Sequence, residues 1–213
     1  MDESPGIAKL YSVLIAGEYA AHSRLITELG MAPDVDSRIA MGRLAASEMN
    51  HFDELAAELV KRDIDPVAAV LRYVDVFDRY HGTTNPKTWD EAMVKAYVGD
   101  GLAADFYREL AGALPADARD VVSTVMSETG NSQFARDWVR SRVTADPALR
   151  WPLTLWGRRL LGEAITHAQW VLAAEEDVTD LLFSSTTDLA AVSRFFDTVT
   201  ELHAQRMSDL GLG

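Results

Sequence analysis

Apolar residues recur at three- and four-residue spacing along almost the whole chain, and no segment alternates apolar and polar positions over the length of a strand. The pattern predicts an all-α protein. The first stripe, Ile7, Tyr11, Leu14, Ala21 and Leu25, opens behind Ser4 as a cap with Pro5 at the first helical position, and stops at Gly30. A second helix starts at Asp36 and carries Met41, Leu44, Ala45, Phe52, Leu55 and Leu59 until Asp63-Ile64-Asp65-Pro66 breaks it. A shorter helix runs from Pro66 to about Tyr80, ahead of the polar turn from His81 to Pro86.

Thr88-Trp89-Asp90-Glu91 has the form of a capping box, which starts a helix running to about Ala113 before Leu114-Pro115. One long helix is expected from about Ala116 to Val143. Asp146-Pro147 then restarts the chain in another that reaches about Glu175, with Pro152 placed to bend its first turns. Periodicity weakens from Asp177 to Thr187, and a last helix is expected from Asp188 to about Leu210. There is no short tandem repeat, but the first two long helices and the next two each form a hairpin around a short turn. The organisation is read as one domain, 1–213, with a bundle core of about 5–143 and extra helices over about 147–210.

Composition narrows the chemistry. A length of 213 residues with 48% apolar and 25% charged positions supports a sizeable core. No run approaches the 18 or more apolar residues of a membrane span, and Met1-Asp2-Glu3-Ser4-Pro5 lacks signal-peptide character, so the expectation is a cytoplasmic protein with no membrane role. With no cysteine, disulfides, thiolate metal sites, iron–sulfur clusters and cysteine nucleophiles are excluded, and any metal must be held by oxygen and imidazole nitrogen. A net charge of −13 argues against a broad polyanion-binding surface. Arg136, Arg140 and Arg142, and the stretch from Trp151 to Arg159 with Arg158 and Arg159, are local basic patches for which an ordinary solvated helix face is the simpler reading.

Acids interrupt the apolar stripes where the core should be. Glu18 lies four residues after Leu14 and three before Ala21; Glu48 sits between Leu44 and Phe52, with His51 one turn on. Asp100 falls among Ala96, Tyr97, Ala103, Ala104 and Tyr107, and Glu128 among Val121, Val125, Ala135 and Val139, with Asn131 a turn later. Glu18 and Glu48 are 30 residues apart and Asp100 and Glu128 are 28 apart, with each hairpin turn near the midpoint, so if the two hairpins pack as a four-helix bundle the four acids and one histidine converge at mid-height. Unpaired, such a cluster would be costly, and a pair of divalent cations would neutralise it. One Glu from each of two helices and a Glu-x-x-His from each of the other two is the ligand pattern of ferritin-like di-iron and di-manganese proteins. Here the second motif reads Glu128-Thr129-Gly130-Asn131, replacing a nitrogen donor by a weak oxygen donor, and Asp100 replaces a Glu. Asp105 competes with Asp100. The more apolar face of Asp100, its spacing and the flanking Gly99 and Gly101 favour Asp100.

Other candidates carry less. His22 is one turn from Glu18, Glu163 and His167 stand at i and i+4, and neither His81 nor His203 has an acidic cluster beside it. Tyr97, Tyr107 and Trp138 read as core aromatics. There is no glycine-rich phosphate loop, serine elbow or dinucleotide fingerprint.

The segments Ala46 to Phe52, Lys95 to Glu109, Glu128 to Asn131 and Trp156 to Leu160 resemble an actinobacterial group of ferritin-like proteins related to the tRNA 2-methylthio-isopentenyladenosine hydroxylase. The resemblance implies a ferritin-like four-helix bundle with additional C-terminal helices. It also implies a non-haem centre of two iron ions that activates dioxygen, with manganese or a single metal as alternatives, held by Glu18, Glu48, His51, Asp100 and Glu128. That group carries His where this chain has Asn131. By analogy the reaction would be a hydroxylation, with a modified tRNA adenosine as substrate and a separate electron donor. A homodimer is expected only because two-fold oligomers are common. The alternative is a non-catalytic ferritin-like helical protein with a one-metal or empty site, acting through partner binding.

Overall fold

The computed structural model describes residues 5–127, 132–183 and 189–213, and every regular element among them is helical. In chain order these are α1 (Pro5–Glu28), α2 (Val35–Val60), α3 (Pro66–Thr83), α4 (Trp89–Ala113), α5 (Ala116–Ser127), α6 (Gln133–Ala145), α7 (Arg150–Ala174), α8 (Glu176–Phe183) and α9 (Leu189–Asp209). Short 3₁₀ turns at Leu29–Met31 and Pro147–Leu149 extend α1 and precede α7.

Local chemistry sets most of these boundaries. The cap of α2 is Asp34, not the Asp36 expected: its carboxylate accepts from the Ser37 amide at 2.7 Å, and Asp36 falls inside the first turn. Asp63 takes a left-handed conformation at φ 56° where α2 ends, and Asp65 caps α3 ahead of Pro66. Thr88 caps α4 through the Glu91 amide at 3.2 Å. The Glu91 carboxylate reaches one residue beyond the usual capping box, accepting from the Lys87 amide at 2.6 Å.

Within the helix expected over 116–143, α5 and α6 are described, and 128–131 lie outside the described residues. Two further expectations change. The weakly periodic segment from Asp177 contains all of α8 but its first residue. Pro152 belongs to the first turn of α7, where no intrahelical partner for its missing N–H is lost.

Helices α1 and α2 run antiparallel, because contacts step back along α2 as α1 advances: Glu18 meets His51 and His22 meets Ala45. Helix α4 pairs with the α5–α6 stretch, with Trp138 Nε1 donating to Asp90 at 2.8 Å. Helix α4 is the centre of the molecule. Ala92, Met93, Val94, Lys95, Ala96 and Val98 are all buried, as expected of a helix covered on every side, and α7 and α9 supply the outer cover. One core cluster joins Met41, Met93, Val98, Val139, Leu160 and Val199; a second joins Ile7, Tyr11, Ile15, Leu55, Leu59 and Val122. Between them is left a cavity of about 290 Å³.

Candidate metal centre

The antiparallel register of α1 and α2 turns Glu18, Glu48 and His51 toward one another. One ligand atom from each lies within 4.8 Å of the others. His51 Nδ1 is 3.3 Å from Glu18 Oε2 and 3.8 Å from Glu48 Oε2, and Glu18 and His51 are 5% and 6% exposed. Burial pushes the Glu48 carboxyl up to about 7; the His51 hydrogen bond opposes the rise and the nearby Glu18 charge adds to it. Burial alone would lower His51, but its hydrogen bonds to Glu18 and Glu48 outweigh that and hold it near 10.

Asp100 approaches from α4. Burial raises its carboxyl to about 6, a hydrogen bond from Ser132 offsets part of the rise, and the charges of Glu48 and His51 both act on it. All four side chains line the cavity. Asp105 does not: it is buried against Arg206 and Arg108. Glu128 and Asn131 lie outside the described residues.

His51 Nε2 is buried and has no hydrogen-bond partner among the described residues. A bare imidazole nitrogen on a ring clustered with two carboxylates is costly in a protein interior and is what a divalent cation would take up. The donor set of carboxylate oxygen plus imidazole nitrogen suits iron, manganese or zinc, and offers nothing to a soft ion.

The remaining candidates resolve by their partners. His22 donates from Nδ1 to the Ala45 carbonyl at 2.8 Å, which ties α1 to α2. His167 donates to the Glu163 carbonyl at 2.7 Å, whereas the Glu163 carboxylate accepts from Thr83. His203 is buried on α9, with neither ring nitrogen bonded among the described residues. Tyr97 is half-buried against the α4 cluster, Trp138 stacks edge-on to Trp89, and the side chain of Tyr107 lies outside the described residues. Arg136, Arg140 and Arg142 are engaged by Asp137, the Asp209 carbonyl and Asp90. Trp156 is buried and bonds to the Glu91 carbonyl, while Trp151, Arg158 and Arg159 are exposed.

Four polar residues of the cavity were not singled out from the sequence in this role: Arg24, His81, Lys95 and His167. Lys95 carried the same signal as Glu18, a charge set among apolar positions in a buried stripe.

A family model of a ferritin-like domain of actinomycetes matches residues 3–185. The chain therefore belongs to that family, and the fold is a ferritin-like all-α bundle with extra helices. No curated protein matches it. No described helix is long and apolar enough to cross a membrane.

Proposed function

We propose that this protein is a non-haem di-iron hydroxylase whose centre is held by Glu18, Glu48, His51, Asp100 and Glu128, and which oxidises an apolar group admitted to the adjoining cavity. The observation that carries this reading is the buried Nε2 of His51, unpartnered among the described residues, on a ring clustered with Glu18 and Glu48 in a bundle of ferritin-like fold. When bound, the metal pair would supply the activation of dioxygen. The net reaction consumes dioxygen, two electrons and two protons and yields one hydroxyl and one water, with the electrons delivered by a separate donor.

The residues of the chain divide the remaining work. Glu18, Glu48 and Asp100 provide the negative charge that attracts the ions, and His51 provides the nitrogen donor. Leu44, Ala96, Leu102, Phe106 and Val125 wall the cavity with apolar surface that excludes water and holds a hydrocarbon group against the cluster.

A second reading draws on the same residues. A protonated His51 already balances Glu18, so the cluster is chemically consistent without metal, in a ferritin-like protein whose site has lapsed and which acts through a partner. Elemental analysis of protein produced with iron, together with the absorption spectrum after oxygen meets the reduced protein, separates the two. About two irons per chain and a charge-transfer band support the hydroxylase. No iron after reconstitution overturns it. A hydroxylated adenosine in tRNA exposed to the loaded protein would identify the substrate as tRNA.

A further inference from the structure

The cavity beside the acid cluster ends in a very different environment. Along α1 the lining runs from Leu10, Val13 and Leu14, through Glu18, to Arg24; along α4 it runs from Phe106, through Asp100, to Lys95. Six residues of helix separate Glu18 from Arg24, a rise of ~9 Å. One end of the cavity is therefore apolar, the middle carries the acids, and the far end carries two cationic side chains. Such a layout matches a ligand with a hydrocarbon body and one negatively charged end.

The far end is built for a partner it does not have among the described residues. Lys95 is 1% exposed. It donates to the Thr84 carbonyl at 2.7 Å, and its carboxylate neighbour, Glu28, is 3.6 Å away. Glu28 is already committed to Arg24 Nη1 at 2.8 Å. Arg24 Nε and His81 Nδ1 are both buried with no hydrogen-bond partner. Two cationic side chains thus share one carboxylate, and two buried nitrogens are bare. Tyr80 packs against Lys95 and against the rings of His81 and His167, lining this end of the pocket with ring surface. Glu163 points elsewhere, to the exposed Thr83 hydroxyl.

We propose that the cavity binds a small amphipathic monocarboxylate, its carboxylate held by Arg24 and Lys95 and its hydrocarbon chain lying toward Glu18, Glu48 and His51. A single negative charge is the right amount, because one carboxylate brings Arg24, Lys95 and Glu28 to neutrality; a phosphate ester would overshoot. Arginine Nε and a lysine ammonium are strong donors to a carboxylate, and burial strengthens each bond. Burial, and after it the charge of Arg24, pulls the Lys95 ammonium down to about 7, as expected of a cation short of counter-charge. That this ligand is the substrate rests on the hydroxylase reading; that it binds does not.

The test is titration calorimetry on the metal-free full chain with three probes of equal chain length: octanoate, octan-1-ol and octylammonium. Octanoate is expected to bind at least tenfold more tightly than octanol, and octylammonium more weakly than either. In Arg24→Gln and in Lys95→Met the octanoate preference over octanol should fall by at least tenfold while octanol still binds, which shows the cavity intact. Equal affinities of wild-type protein for octanoate and octylammonium would overturn the proposal, as would an undiminished octanoate preference in both variants. Because the protein is metal-free, either result stands apart from the iron analysis. Octanoate binding with no iron uptake keeps the carboxylate site and removes the hydroxylase; iron uptake with no octanoate preference does the reverse.

Discussion

The carboxylate of Asp105 on α4 is held by the guanidinium of Arg206 on α9, 101 residues away in the chain. Arg108 Nη1 adds a second contact at 3.0 Å. The Arg206 side chain reaches Asp105 across Gly101, where any Cβ would overlap its Nε, Cδ and Cζ atoms. Asp105, five residues from Asp100, is thus a structural acid that fastens the last helix to the central one.

Removing one partner of a buried ion pair costs more than the pair contributes, and without Arg206 the buried Asp105 charge would keep only the largely exposed Arg108. Arg206→Met should therefore destabilise the protein by about 3 kcal/mol in urea unfolding. Its metal content should match wild type. Gly101→Ala should destabilise in the same direction by displacing the guanidinium. Loss of metal in Arg206→Met without loss of stability would return Asp105 to the ligand set.

Glu48 is a buried acid held at a cost to stability. It is pressed against Glu18 with burial already opposing its charge, so Glu48→Gln should raise the stability of metal-free protein at pH 8 by about 1 kcal/mol. The same substitution should abolish the rise in Tm expected of wild type on addition of iron(II) or manganese(II). Thermal scans with and without added metal read both effects. A destabilised metal-free variant would mean that the carboxylate is held by hydrogen bonds that outweigh its burial.

His203 sets a stability change in acid. Burial, then the charge of Arg206, lowers it to about 4, with Asp105 opposing. The folded-state value lies below the unfolded one near 6.5, so between these values the unfolded chain binds the extra proton and stability is lost as pH falls. His203→Phe removes that contribution. The difference between variant and wild type should move in the variant's favour from pH 7.5 to pH 5, by up to ~1.4 kcal/mol per pH unit below 6.5. Parallel pH profiles of urea midpoints for the two proteins would refute it.

Glu175 ties three segments together. Its carboxylate accepts from Tyr73 Oη at 2.8 Å and Arg72 at 2.9 Å, with Lys9 at 3.3 Å, joining α1 and α3 to the turn before α8. Tyr73→Phe deletes one charge-assisted hydrogen bond and should cost about 1–2 kcal/mol in chemical denaturation, with helicity unchanged by circular dichroism. A cost near zero would show that Arg72 and Lys9 hold the carboxylate unaided.

The sequence by itself determined the helices and the acids. Periodicity of 3.6 residues is a property of the chain, so α1, α2, α4 and α7 fall within a few residues of their expected spans, and Asp65-Pro66 and Thr88 mark their helix starts through local hydrogen bonds. Glu18, Glu48, His51 and Asp100 were legible because a charge inside an apolar stripe violates the stripe, whatever surrounds it. Asp34 and Asp36 both have the chemistry of a cap, and only the backbone at α2 chose between them. Tertiary structure decided the rest. Asp100 and Asp105 lie little more than one helical turn apart, and what separates cavity acid from structural acid is Arg206, brought to Asp105 by the packing of α9 on α4. Of the basic end of the cavity, Lys95 breaks an apolar stripe as Glu18 does, but Arg24 has no local signature: with Glu28 it reads as an ordinary i,i+4 pair. Its shared carboxylate, its bare Nε and the Lys95 ammonium beside it arise only when α1, α3 and α4 enclose them, because desolvation and electrostatic neighbours depend on distance in space and not along the chain.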